Sequence, residues 1–420
     1  MIAEVLADLR SRTTHADSVR ARDETITATL AGPSHALVSV DQSDSIQIRV
    51  IANERLGWAG GDSSSVRAVA DRAVDSAAAG DVAQMFFPAP AALPAVVTRS
   101  PAAAALTARD LVGLAGRLAD RLRRLNLPIE AWAERSLGGV EVGNSRGVLA
   151  SYDLTVVGVG VSVGDGPAPC RLHLAGVAPP DETDLDRLVD EVERRFTPPV
   201  IELTAPPGGP IWFAPRAVRG LLVPLLSRQL GDGRIGAQGG KWSIDSRLSL
   251  YDDPLIDGRP GSRPICDDGI PTQRLALLEN GRPGRPLLDL RTASRHRLPA
   301  TGHGLRRGYR APGAAFSNLS LESDEPGTLE LAAAVGDGLL VSDFEIGLAP
   351  NPDRGVFRVA TPWCYRIVNG RVVGRVQGVV LAGEIIRLLE RVVAIGADAE
   401  WHGAARLCSL VLDGVGVSLR

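Results

Sequence analysis

The chain has 420 residues, 45% hydrophobic and 23% charged, with a net charge of −3 and a pI near 6.1. That length predicts two or three domains, and the composition is that of a folded globular protein and not of a disordered one. With no basic block in the sequence, non-specific nucleic-acid binding is excluded as a main activity. The N-terminal run Met1-Ile2-Ala3-Glu4-Val5-Leu6 carries an early acid, so no signal peptide is expected. No run of about 18 apolar residues occurs, so no membrane contact is expected and the location is read as cytoplasmic. Cys170, Cys266, Cys364 and Cys408 are widely spaced with no C-x-x-C pair, which argues for buried thiols in a reducing compartment.

In chain order, residues 2–12 read as a short helix, followed by strands at His35 to Val40 and Ser45 to Ile51. Asn53, Gly57 and Gly60-Gly61 mark a turn, and Asp62 or Ser63 caps a helix burying Val66, Val69, Ala70, Ala73, Val74 and Ala77. Pro88 to Pro101 reads as a linker. A helix then starts after Thr107, with Leu111, Ala115, Leu118, Leu122 and Leu125 on one stripe. Strands are expected at Gly139 to Val142, Val148 to Val163 and Arg171 to Ala175, and a helix at Asp181 to Phe196 with an acidic first turn. Pro215 to Leu230 reads as a helix kinked or split at Pro224. Later signals are a two-residue hairpin at Asn369-Gly370, a helix from Ala382 to Ile395, and a closing strand from Ser409 to Leu419 broken at Asp413-Gly414. The expected fold class is α+β: two small α/β units at 1–87 and 102–197, then a large, mainly antiparallel β domain with a few helices at 211–420.

Chemistry-bearing residues gather between Tyr251 and Gly304. Asp252-Asp253-Pro254 and Asp267-Asp268-Gly269 could each hold a metal, although Asp before Pro or Gly also caps turns. His303 lies between glycines that let backbone approach a ligand, with Arg306 and Arg307 close behind. No Gly-x-Ser-x-Gly elbow is present.

Taken together, Arg49-Val50-Ile51, Asn144-Ser145-Arg146-Gly147, Tyr251-Asp252-Asp253-Pro254, the Asp-Gly-Ile-Pro-Thr run ending at Thr272, Thr301-Gly302-His303-Gly304 and Asn318 resemble successive signatures of the TldD/PmbA family, across nearly the whole chain. The resemblance implies a heterodimeric metalloprotease. Its TldD-like subunit carries His-Glu-x-x-x-His on a helix and a cysteine near the C-terminus as zinc ligands, with the glutamate as general base; the PmbA-like (TldE-like) subunit lacks the motif. Here the corresponding run is Ala214-Pro215, Gly220-Leu221-Leu222, then Val223-Pro224-Leu225-Leu226-Ser227-Arg228. Val223 and Arg228 stand at the histidine positions and Pro224 at the glutamate. Valine and proline have no ligand atom, and arginine stays charged and repels a dication. No histidine or glutamate occurs from Ile211 to Leu230, and none of the six histidines is followed by glutamate.

The resemblance therefore implies a non-catalytic TldE-like subunit that binds no metal itself and closes a chamber over the zinc of a TldD-like partner, with unfolded peptides as substrate. On this reading Asp252, Asp253, Asp267, Asp268, His303, Arg306 and Asn318 contact substrate or partner, Cys266 stands where the family commonly has an acid, and Cys408 is a buried thiol. Two alternatives stay open. One is a stand-alone amide or peptide hydrolase of a biosynthetic pathway using Asp252, Cys266, Asp268 and His303; the other is a peptide-binding regulator without turnover.

Overall fold

Alternating side chains from His15 to Gly176 build one sheet, shared by the two stretches expected to form separate units. In the computed structural model the described residues are 1–32, 36–164, 168–230, 244–306, 313–323, 327–344 and 354–420, without the side chains of 225–230. Strands β1 (His15–Ala31), β2 (Ala36–Ala52), β3 (Arg55–Asp62), β4 (Ile129–Asn144), β5 (Leu149–Val163) and β6 (Cys170–Gly176) lie in the order β3-β2-β1-β4-β5-β6. Every neighbouring pair is antiparallel.

The central strand β1 was not legible in the sequence, because Arg20, Arg22, Asp23 and Glu24 make its middle look like loop. Those charges are paired across the sheet: Arg20 with Asp44 and Glu141, and Glu24 with Arg135. The same pairing carries β2 without a break through Asp41–Asp44, where two strands were expected; His35, the expected start of the first, lies outside the described residues.

Helices cover one face of this sheet. Helix α1 (Ile2–Leu9) and helix α2 (Val66–Ala77) pack their apolar stripes on Ile46, Ile48 and Val50. After a short α3 (Pro101–Ala104), α4 (Ala108–Leu122) and α5 (Glu182–Phe196) bury Leu111, Leu118, Leu185 and Val192 against Ala131, Ala133 and Val159. Both α4 and α5 open with reciprocal capping boxes, Thr107 with Asp110 and Asp181 with Asp184, which satisfy otherwise orphaned N–H groups. The expected linker is a strap fixed at several points. Pro88 O accepts from Asn144 Nδ2 at 2.9 Å, Val97 N donates to Asp257 Oδ1 at 2.6 Å, and Thr98 O accepts from Thr155 N at 3.0 Å.

The C-terminal part contains two six-stranded sheets. In one, β7 (Ile211–Phe213) is interior and pairs in parallel with Leu339–Val341; the other contains β8 (Leu248–Asp252) and a parallel contact between Leu319–Ser320 and Ala405–Arg406. The remaining pairings among the described strands are antiparallel, so the mainly antiparallel expectation holds with these two exceptions. Asn369 and Gly370 both adopt positive φ (49° and 70°) between Trp363–Val368 and Arg371–Val376, which is the hairpin their sequence predicts. Helix α6 (Pro215–Leu230) keeps Pro224 inside it and does not split there.

The helix expected at Ala382 to Ile395 is corrected. Val379–Glu384 is a strand, Ile385–Leu389 a single short helix, and Val392–Ile395 another strand. Burial explains the misreading: Ile385, Ile386, Leu388 and Leu389 are all in the core, and cross-strand partners at both ends override the helical period.

Candidate functional site

The loops that carry the candidate residues pack against β1 and β2 on the face of the first sheet opposite its helices, and their polar groups are buried there. Asp252 ends β8 and has no exposed surface; its Oδ1 and Oδ2 accept from Ser317 N at 2.8 and 3.0 Å. His303 is equally buried, with Nδ1 3.1 Å from Thr301 Oγ1 and Nε2 3.1 Å from Asp252 Oδ2. The Thr301 hydroxyl accepts from Leu288 N at 2.9 Å, and its one proton lies between two acceptors, Leu288 O at 3.2 Å and His303 Nδ1 at 3.1 Å. Nε2 lies beside Asp252 Oδ2 without meeting the geometry of a hydrogen bond.

The other acids do different work. Asp253 caps a turn: Oδ1 accepts from Leu255 N at 2.9 Å, while its own N–H donates to Asn318 O. Asn318 Nδ2 donates to Asp253 O and Ser262 Oγ, and its Oδ1 accepts from Gly261 N. Asn318 is thus a staple between two loops.

Asp267 and Asp268 face the first sheet. Asp267 Oδ2 accepts from Arg306 N at 2.6 Å; Asp268 Oδ2 accepts from Leu290 N at 2.7 Å and its Oδ1 from Arg49 Nη2 at 2.8 Å. Burial pushes both carboxyls above the usual range, against the pull of Arg306 on Asp267 and of Arg49 on Asp268. Arg49 on β2 also pairs with Asp17 on β1 and lies 5.1 Å over the Phe87 ring. Its guanidinium loses solvation, but Asp17 and Asp268 outweigh that loss and hold it charged. Arg306 reaches back to the same sheet, donating to Gln47 O at 3.0 Å and to Asp17 Oδ1 at 2.7 Å.

The geometry thus divides the sequence candidates. Asp252 with His303, and Asp267 and Asp268 with Arg306, are the buried groups; Asp253 and Asn318 shape adjacent loops; Arg307 lies outside the described residues. Asp17 and Asp289 were missed, and their only signal is an acid beside small or apolar residues. Asp289 caps the helix Leu290–His296. Exposure of Asp252, Asp267, Asp268 and His303 is between 0 and 7%, so in the single chain these side chains are enclosed and tie its parts together. Among the described residues no group of three His, Cys, Asp or Glu side chains is arranged to hold a metal ion, and no helix is long and apolar enough to cross a membrane.

Along α6, the helix that the family resemblance sets against a zinc motif, Ala217, Val218, Leu221 and Leu222 are buried; Val223 packs half-buried on the same core and Pro224 is exposed. The Arg228 side chain lies outside the described residues. Cys408 belongs to the same apolar cluster, and burial pushes its thiol up to about 11, which keeps it protonated. Zinc needs thiolate, imidazole or carboxylate donors, and the described residues here do not fit it.

A profile of the PmbA/TldA metallopeptidase C-terminal domain matches residues 210–419, half of the chain. Among curated relatives, a TldD metalloprotease homologue of Buchnera aphidicola is 25% identical over 40% of this chain and 35% of its own length. A metalloprotease of Methanocaldococcus jannaschii is 27% identical over 36% of this chain and 34% of its own length, and a PmbA homologue of Haemophilus influenzae 24% over 43% and 38%. The matched stretch thus spans about a third of these relatives' length. In fold, the chain is similar from end to end to TldE of Thermococcus kodakarensis (TM-score 0.82, 19% identity, 99% of both chains). It is equally similar to a Bacteroides thetaiotaomicron protein described as a candidate modulator of DNA gyrase (TM-score 0.82, 17% identity, 100% and 98%). The α+β reading and the family resemblance both hold, and the chain belongs to the PmbA/TldD metallopeptidase family.

Proposed function

We propose that this chain is a TldE-like, non-catalytic subunit that pairs with a TldD-like zinc subunit and completes the chamber in which that partner cleaves unfolded peptides. The observation that carries the reading is α6: it has neither histidine nor glutamate, and it turns valine and leucine into the core where the catalytic kind would need ligands. The end-to-end similarity in fold to a TldE protein supports it. The buried Asp252–His303 pair speaks against a stand-alone hydrolase, because a general base must reach its substrate.

The test is co-expression with the chain of the same genome that carries His-Glu-x-x-x-His. The isolated chain is expected to hold sub-stoichiometric zinc and to leave an unfolded casein substrate intact. The pair is expected to hold zinc and cleave, and to lose both when the partner's histidines are replaced. One tight zinc per isolated chain, by elemental analysis, overturns the reading.

A further inference from the structure

Helix α6 opens with Arg216 and Arg219, three residues apart and therefore on one face of the helix. Arg216 Nη2 donates to His173 O on β6 at 3.2 Å, and its Nε pairs with Glu191 Oε1 on α5 at 2.8 Å. Glu191 also pairs with Arg195, whose other carboxylate is Asp343 at the end of the strand Gly338–Asp343. Three guanidiniums thus share two carboxylates, and Arg219 is the one left without an ion pair or hydrogen bond among the described residues. The first turn of α6, where acids are normally favoured, contains none.

His173 meets the same excess of positive charge. Loss of solvent, then Arg216, Arg219 and His402 on the strand Glu400–His402, hold its imidazole below the ordinary histidine value, with Asp343 pulling the other way. Arg219 is lowered by loss of solvent and by Arg216, again against Asp343. Like charges crowded into a half-sheltered corner raise the free energy of the folded chain, and a bound anion lowers it. His173 and Arg219 both remain reachable from solvent.

The corner also has an apolar wall. Sheet register sets Trp132 opposite Gly160 and Gly160 opposite His173, and the Trp132 ring covers the bare Gly160 backbone. Trp132 and His173 therefore flank Gly160 on one face of the sheet. A ring surface beside cations suits a carboxylate carried on an organic body better than a free inorganic ion.

We propose that Arg216, Arg219 and His173 form a carboxylate-binding corner whose ligand is a peptide, held by its C-terminal carboxylate or by an acidic side chain. That this peptide is the partner's substrate rests on the two-subunit reading above; binding to the isolated chain does not. The test is calorimetric titration of the isolated full chain with acetylated Ala-Leu-Ala as free acid and as amide, and with inorganic phosphate. Expected is binding of the free acid, about tenfold or more tighter than the amide. Arg219→Gln, which removes no ion pair among the described residues, should weaken the free acid about tenfold, and Arg67→Gln, an exposed arginine on α2, should not. Binding should tighten as pH falls through the histidine range, because a bound anion favours the imidazolium, and His173→Gln should remove that dependence. An amidated peptide with one internal glutamate that binds as tightly as the free acid assigns the contact to a side chain. Circular dichroism verifies that each variant folds. No binding of any peptide, equal affinity for acid and amide, or unchanged affinity in Arg219→Gln overturns the corner and leaves the two-subunit reading standing. Phosphate binding as tightly as the free acid overturns the peptide assignment, and a pH profile unchanged by His173→Gln overturns the part given to His173.

Discussion

Arg49 Nη2 and Asp268 Oδ1 lie 2.8 Å apart, 219 residues apart in sequence, with 3% and 0% of their side chains exposed. This contact ties β2 of the first sheet to the loop that carries the acids of the C-terminal part. A buried pair adds little over an apolar pair of the same shape, but removing one partner leaves an uncompensated charge. Arg49→Met leaves Asp268 without its cation and Asp17 with Arg306 alone, and is expected to cost about 3–5 kcal/mol. Urea denaturation of Arg49→Met, Asp268→Asn and the double variant should give a double loss well short of the sum, because the sites are coupled. Additive losses would count against the pairing.

The pH dependence of stability should carry two opposite contributions. Asp268 has its carboxyl raised by burial, so the folded state binds its proton more tightly than the unfolded chain. Its contribution is present below the ordinary aspartate value of about 3.9 and lost as pH rises above it. Glu191 is desolvated, but Arg216 and Arg195 outweigh that and lower it. Its contribution is present above the ordinary glutamate value of about 4.3 and lost as pH falls. Melting temperatures across pH should therefore lose part of their acid-side decline in Glu191→Gln, while Asp268→Asn should decline more steeply toward acid.

How much of this was legible in the sequence differs by element. Helices α2, α4 and α5 could be read because each buries one stripe, and the Asn369-Gly370 turn because its positive φ values demand those residues. The β1 strand could not, since its charges are satisfied by β2 and β4, partners far along the chain that local pattern does not reveal. At the site, the spacing of acids and His303 showed where polar groups gather. It did not show that Asp252, Asp268 and His303 would be sealed from solvent, because burial comes from the fit of loop to sheet.

Gly304 tests that fit. A Cβ at this position would fall within contact distance of the Asp268 carboxylate, which is already fixed by Arg49 and Leu290 N. With no free rotamer to retreat to, Asp268 must move or the loop must lift. Gly304→Ala is expected to lower stability by about 1–3 kcal/mol. Its effect should shrink in an Asp268→Ala background, where the obstructing atoms are gone. An equal loss in both backgrounds would place the strain elsewhere.

The thiols offer a readout of the core around α6. Cys170, Cys266, Cys364 and Cys408 are all buried, between 0 and 4% exposed. Burial pushes Cys266 up to about 12 and Cys170 and Cys408 up to about 11, so the reactive thiolate is scarce at neutral pH and reagent cannot reach it. Titration of the folded chain with an aromatic disulfide should release almost no chromophore, and all four thiols should react in denaturant. Cys408 is the informative one, because it shares its apolar cluster with Leu221 and Leu222 of α6. Rapid labelling of Cys408 alone in the folded chain would mean that this core opens in solution. That outcome would remove the apolar packing on which the metal-free reading of α6 depends.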